Sequence, residues 1–600
     1  MATRRGFVLA LIIGMVFLAG WRSLAQDADV LRDEAARVAV VDKVRPAVVA
    51  VFARGGQGGG SGVLISDDGY ALTNFHVVQA PGPVMQCGLA DGVLYDAVLV
   101  GLDKVGDVAL IKLLPKKAGE KFPFAVMGDS DKVREGDWSL AMGNPFLLAT
   151  DFTPTVTFGL VSGVHRYQYP AGTLLEYTDC IQIDTSINPG NSGGPLFDMK
   201  GELIGINGRG SFDKRGRINS GVGYAISINQ IKNFMGHMRA GLDSDHASLG
   251  ALITTQTEKS GLGRMMVTSI LEESDVYRRG LDIDDELLSF AGRTISSVNQ
   301  FKNVMGLYPR GWRMPLEYRR EQTRKEILVR LMGVQARIFD VGDKQPQPPQ
   351  QPPKGIKLPK GPPSPAAKFY QAKQGFANYY FNKLEQDRLL AGFRKLGDFS
   401  GLAGMWTMEG TVRLLKLKSE SKFRIDITED KAKDAKVFRP LVKMTVGEFP
   451  YQVLPLEAQD PTLLRVPESS GGLLTAMYVY HQLLNQGAKP FSEFAHGGHE
   501  PLYPPSSDGK TSKLADLRVD TEVLNTRLGP FLVKWFFALS DQKLLGYEVR
   551  LNENEDPCEG YLSDYRAVDG RQLPHRLQVV YGNTSYGTFT FNRFQLGTAK

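Results

Sequence analysis

Three short stretches hold the side chains best equipped for chemistry. INPGNSGGPLFD, residues 187–198, sets Ser192 among Gly190, Gly193 and Gly194. A bare turn needs one or two glycines at positive φ. A nucleophilic serine needs more, because its hydroxyl must stand clear of its own backbone and nearby N–H groups must reach the oxyanion of acyl transfer. YALTNFHVV places His76 at the end of an alternating apolar segment, and GDVALIKL places Asp107 just before a β-branched, Leu-rich run. The order His76, Asp107, Ser192 is one of the known orders of a Ser-His-Asp triad. Taken singly, each has a plain explanation as a loop histidine, a turn aspartate or a Gly-Asn-Ser loop. Together they predict acyl transfer. His76 takes the proton of Ser192 and returns it to the leaving amine, while Asp107 holds the imidazole tautomer.

The segments that must position these residues are strand-like. ALTNFHVV, DVALIKL, GDSDKVREGDWSLAMGNPF, TVTFGLVSGV, IQIDTSINPGNSGGPLFDMKGELIGIN and GVGYAISINQI follow one another in that order. On these motifs the chain resembles the HtrA/Deg serine endopeptidases from about Ala39 to about Phe234. The resemblance implies a trypsin-like double β-barrel with the triad between the barrels. It also implies an oxyanion hole made by the N–H groups of Gly190 and Ser192, assisted by the Asn191 peptide. By the same resemblance Ser186, six residues before the nucleophile, floors the primary specificity pocket. It is not an acid, so the expected cut follows a small or medium aliphatic residue rather than Lys or Arg. Unfolded or misfolded proteins are the implied substrates, and homotrimers or assemblies of trimers the implied state.

A chain of 600 residues suggests three or four domains, and 42% hydrophobic residues suffice for packed cores. The balance of 71 Lys and Arg against 65 Asp and Glu gives +6. That is no argument for nucleic acid, which favours a strongly basic domain or stripe. Residues 1–25 carry a basic head with Arg4 and Arg5, an apolar run from Phe7 to Ala19, and small residues Ser23 and Ala25. This reads as a secretory signal cleaved after Ala25, with an uncleaved anchor as the alternative. The apolar run is short for a membrane span of about 20 residues. Cys87, Cys180 and Cys558 allow one disulfide at most. No cofactor or metal is expected. HGGHE, with His496, His499 and Glu500, has a metal-like spacing, but its glycines and the adjoining PLYPP exclude a regular helix and predict a loop.

Residues 248–335 show short alternating strands and then a helix-like stretch after Ser297. They resemble the PDZ domain that succeeds the protease in HtrA/Deg proteins, through SLGA, GLDIDDELLSFAGRTI and PLEYRREQTRKEILVRL. The resemblance implies that the N–H groups of Leu249, Gly250 and Ala251 capture the terminal carboxylate of a peptide, which pairs with the next strand. The usual Gly-Asp is replaced by Asp284-Asp285. A small αβ packing domain without a ligand is the alternative. Residues 336–368 are rich in Pro, Gln and Lys and read as a semi-rigid, extended spacer that isolates the C-terminal region as an independent unit. Residues 369–600 open with a helix-like run from Lys368 to Leu396 and continue as strand-like segments separated by turns, an antiparallel meander. Its closing run resembles the LolA/LolB lipoprotein-carrier folds, which implies a curved half-barrel holding an acyl chain.

The expected architecture is therefore multidomain and mainly β. A signal at 1–25 precedes a trypsin-like double-barrel protease at 26–243, an αβ PDZ domain and a Pro-rich linker. A C-terminal antiparallel β domain with helices closes the chain. The expected function is that of an exported, PDZ-regulated serine endopeptidase of the cell envelope. A chaperone or adaptor for unfolded proteins, and a lipid or lipoprotein carrier, are the competing readings.

Overall fold

A computed structural model describes residues 28–55, 59–144, 151–168, 177–187, 190–212, 219–257, 263–334, 364–415, 419–431, 438–457, 460–506, 513–553 and 555–599. The expected export signal and most of the Pro-rich segment lie outside the described residues. After a helix at 28–44, six strands close into a first barrel: Val48–Phe52, Gly59–Leu64, Tyr70–Thr73, Val84–Leu89, Leu94–Asp103 and Val108–Leu113. Closure comes from Leu94–Asp103, which pairs with both Val84–Leu89 and Val108–Leu113. A second barrel joins Trp138–Gly143, Thr155–Gln168, Tyr177–Ile183, Pro195–Asp198, Glu202–Phe212 and Asn219–Ser227, closed by Pro195–Asp198. Closure leaves neither sheet an open edge, and the β-branched runs such as VVAVF are buried throughout. The helix Ile228–Arg239 then crosses back over the first barrel, so close that a Cβ on Gly101 would collide with the Met238 carbonyl.

A third unit orders its main strands as Ala251–Thr257, Gly263–Ile270, Glu286–Phe290, Arg313–Arg320 and Thr323–Arg330, around Phe290, Leu316 and Tyr318. Its helix Val298–Met305 starts where the Ser297 hydroxyl accepts a hydrogen bond from the Gln300 N–H (3.2 Å). The C-terminal unit is an open antiparallel sheet of eleven strands, with the helices Tyr379–Phe393 and Leu473–Gln486 against it. Twelve of the fourteen residues in the second helix are buried, with the polar Thr475, His481 and Gln482 among them. All three cysteines are free and buried. Among the described residues no helix is long and apolar enough to cross a membrane.

Two expectations fail here. The C-terminal unit is not isolated from the barrels. Ala366, Ala377 and Phe381 join the core of the first barrel, and the buried Asn378 amide donates to the carbonyls of Leu99 (2.7 Å) and Phe369 (2.9 Å). The segment before Tyr379 is spent on this docking, so the helix begins at Tyr379 and not at Lys368. Nor is HGGHE a loop. It lies in the strand Glu493–Leu502, paired with Val519–Leu528 and bulged between His496 and Gly498. The glycines serve contact: a Cβ on Gly498 (φ +81°) would collide with His237, and one on Gly236 would collide with His499. His496 faces Glu522 (3.3 Å), and the Arg388 guanidinium lies against Glu385 and Glu522, so a cation already serves both carboxylates.

Burial, reinforced by His499 and Lys534, pushes His237 down to about 3 from its ordinary 6.5. The folded protein therefore holds this imidazole neutral, and stability is lost as pH falls from about 6.5 toward about 3. Thermal unfolding followed from pH 7 to pH 4 should show that loss, and His237→Gln should flatten the slope.

Candidate active site

The first barrel supplies two of the three expected side chains. His76 lies on the short helix Phe75–Gln79 that succeeds the strand Tyr70–Thr73. Asp107 sits just ahead of Val108–Leu113 with φ +58°, a left-handed conformation that Asp tolerates better than most residues. Its carbonyl accepts from the Phe75 N–H (3.2 Å) and the Asn74 amide (2.8 Å), which holds the turn. Its side chain is 0% exposed. Oδ1 accepts from the His76 backbone N–H (3.0 Å), and Oδ2 lies 2.8 Å from His76 Nδ1. A carboxylate can only accept, so Nδ1 carries a proton and Nε2 is left as the base in the neutral ring.

The nucleophile loop is pinned across the seam between the barrels. The Ser192 carbonyl accepts from the Ser61 N–H (2.9 Å). The Ser61 hydroxyl donates to the Gly190 carbonyl (2.6 Å) and accepts from the Asn144 N–H (2.8 Å). Gly190 (φ +105°) and Gly193 (φ +84°) are left-handed. A Cβ on Gly193 would collide with the Ser61 carbonyl, and one on Gly194 would collide with the Met142 carbonyl. Two of the three glycines are thus required by close approach alone. Among the described residues, the N–H groups of Gly190 and Ser192 donate to no backbone carbonyl.

The Ser192 hydroxyl donates to the Gly208 carbonyl (3.3 Å), and among the described residues no hydrogen bond joins it to His76. A serine hydroxyl turns about one staggered torsion, and hydrogen bonds of this type often form only with substrate in place. Ser186 is exposed, with its carbonyl 3.5 Å from the Thr157 hydroxyl, while neighbouring Ile187 is buried against Gly223. Two residues that sequence reasoning missed complete the constellation. These are Ser61, which anchors the Gly190 carbonyl, and Tyr177, whose hydroxyl donates to Asp107 Oδ2 (2.6 Å).

In the third unit, Leu249 is buried in the core, Gly250 is left-handed (φ +82°) and Ala251 begins a strand at the edge of the sheet. A Cβ on Gly250 would meet Ser274 at 2.6 Å. The Gly250 carbonyl accepts from the Leu271 N–H (2.9 Å). Asp284 takes the left-handed conformation (φ +67°) that the usual glycine would favour. Buried Asp285 accepts from two of the three guanidinium nitrogens of Arg320, Nε (2.8 Å) and Nη2 (2.7 Å). The usual aspartate is thus neutralised within the domain, while the additional one, Asp284, is exposed.

Residues 60–206 match the trypsin-like peptidase domain. A probable periplasmic DegP-like serine endoprotease of Chlamydia trachomatis is 35% identical over 279 residues, 45% of this chain and 53% of the relative. One of Marinomonas is 37% identical over 254 residues, 41% and 51% of the two chains. The chain spans about half the length of the curated relatives it matches. Among solved structures, the HtrA-type protease AlgW with tripeptide is 30% identical, with 49% of this chain and 95% of that one covered at a TM-score of 0.40.

Asp107→Asn removes the acceptor that fixes the Nδ1 proton. Peptide-bond hydrolysis by that variant should fall on the order of 10⁴-fold with the fold intact, as read by kcat on a cleavable peptide and by circular dichroism.

Proposed function

We propose that this chain is an exported serine endopeptidase of the HtrA/Deg type, acting in the periplasm on misfolded or damaged envelope proteins. The observation that carries the reading is the buried Asp107 carboxylate. It fixes the protonated Nδ1 of His76 within a domain whose glycine loop presents Ser192. Relatives named as periplasmic endoproteases and the signal-like residues 1–25 support export. In the reaction, His76 Nε2 accepts the Ser192 proton during attack on a peptide carbonyl. The oxyanion is received by the Gly190 and Ser192 N–H groups, and the proton passes to the departing amine. Asp107 steadies the imidazolium formed between the two steps.

The third unit is read as the PDZ domain that regulates this activity, with Leu249, Gly250 and Ala251 receiving the C-terminus of a peptide. Support comes from the free edge of Ala251–Thr257 beside the left-handed Gly250. Trp138 and Phe158 stack 4.4 Å apart yet are 49% and 39% exposed, which supports an assembly of copies, a homotrimer or higher. A lipid-holding role for the C-terminal sheet draws on a cavity of about 820 Å³ that includes Phe393, Phe399, Tyr478 and His481 in its wall. Solvent extraction of the purified full chain tests that role by recovery of a stoichiometric lipid.

The competing chaperone or adaptor reading has a clean discriminator. Ser192→Ala should abolish digestion of an unfolded substrate such as casein while leaving any binding of unfolded chains intact. Wild-type cleavage by that variant removes Ser192 from the mechanism, and binding without cleavage by the native chain supports the adaptor. Cut sites read by mass spectrometry should follow Val, Ala or Ile, with Ser186→Asp shifting them partly toward Lys and Arg. A native map dominated by Lys and Arg refutes the pocket assignment. Peptides ending in an apolar residue should raise the rate, and their C-terminal amides should not.

A further inference from the structure

We propose that Tyr177 is a positioning residue for the triad, acting from the second barrel on the acid and on the backbone that holds the nucleophile. The inference rests on the serine endopeptidase reading. Asp107 is wholly buried, and a buried carboxylate must be supplied with donors. Among the described residues three donors reach it. Two belong to His76, through its backbone N–H and Nδ1, and the third is the Tyr177 hydroxyl at 2.6 Å. Tyr177 is thus the only one of the three that does not move with the histidine. It opens the strand Tyr177–Ile183 of the opposite barrel, so its hydrogen bond also spans the seam in which the site lies.

The ring does a second job. Tyr177 is 3% exposed and lies over Gly208, where a Cβ would be only 2.6 Å from its Cε1. The carbonyl of that same Gly208 accepts the Ser192 hydroxyl. One aromatic side chain therefore rests on the backbone that holds the nucleophile and binds the acid with its tip. A buried tyrosine would seek some acceptor in any case. What separates this contact from ordinary core satisfaction is the acceptor, the same Oδ2 that receives the Nδ1 proton of His76. A donor on that oxygen fixes its direction and moderates the charge that the imidazolium will meet.

Tyr177→Phe keeps the ring and removes only the donor. Its kcat on a cleavable peptide should fall about 10- to 100-fold, the worth of one hydrogen bond to a charged group, with KM nearly unchanged. The acid limb of kcat/KM should move to higher pH, because the imidazolium then faces a carboxylate with one donor fewer. In the Asp107→Asn background the same change should cost little, since Tyr177 acts through Asp107. Replacing Tyr177 by 3-fluorotyrosine, a stronger donor of the same shape, should move the acid limb the other way and keeps the test open if the Phe variant folds poorly. Wild-type kinetics and acid limb in both variants, or a full additional loss in the double variant, overturn the proposal. Failure of the wild-type chain to cleave, or to be labelled at Ser192 by a fluorophosphonate, sinks the endopeptidase reading instead.

Discussion

A single buried negative charge sets the terms for the catalytic half of this molecule. Asp107 has no solvent to stabilise its carboxylate, so the fold must deliver donors to it. It does so from both barrels, His76 on one side and Tyr177 on the other. The nucleophile loop obeys the same geometry, because Ser61 of the first barrel binds the backbone of Gly190 and Ser192 in the second. Neither barrel holds the site alone. The close approach of Gly193 to the Ser61 carbonyl shows how little slack remains, since any side chain at that position would force the seam apart.

The other two units are fastened by different physics. Between the third unit and the C-terminal sheet lies a buried ionic cluster. Arg313 meets Glu559 at 2.6 Å, Arg330 meets Glu500 at 2.9 Å and Glu548 at 2.5 Å, and Lys534 meets Glu500 at 2.5 Å. Burial alone would raise Glu548, but Arg330, Lys534 and Arg313 hold it down at about 2. Such clusters add little net stability over an apolar interface, because desolvation offsets the attraction, yet breaking one member strands a buried charge. The helix Val298–Met305 also touches the second barrel, where Asn303 accepts from the Asp179 N–H (3.0 Å) and donates to the His165 carbonyl (2.6 Å). Asp179 stands two residues from Tyr177 on the same strand.

Features whose cause is local or compositional could be read from the sequence. Ser192 among its glycines, His76 after an alternating run and Asp107 before another each carry their own signal, and the steric need for Gly193 and Gly194 comes from the loop's task. Ser61 and Tyr177 carry no such signal, because their partners are 129 and 70 residues away across a seam that forms only on folding. HGGHE misleads for a related reason. Glycines that admit His237 and His499 to close contact look identical, in sequence, to glycines that break structure. The helix Leu473–Gln486 shows no amphipathic stripe because it is covered on nearly every side. The docking of Asn378 onto the first barrel likewise depends on a carbonyl, that of Leu99, whose availability no residue type announces.

The C-terminal sheet is best understood through its two footholds rather than its own interior. It grips the protease where His237 and His499 interlock with Gly498 and Gly236, and it grips the third unit through the Arg313 and Arg330 cluster. The Trp312 indole adds a further tie by donating to the His499 carbonyl (2.8 Å), so one short strand serves both contacts. A unit held at two sites on different bodies restrains the angle between those bodies. Any rotation of the third unit against the barrels must therefore either break the ion cluster or carry the sheet with it. If it carries the sheet, the rotation must shear the glycine contact at His237. Rotation of the third unit therefore costs either the buried charge pairs of Arg313 and Arg330 or the close glycine contacts of His237 and His499.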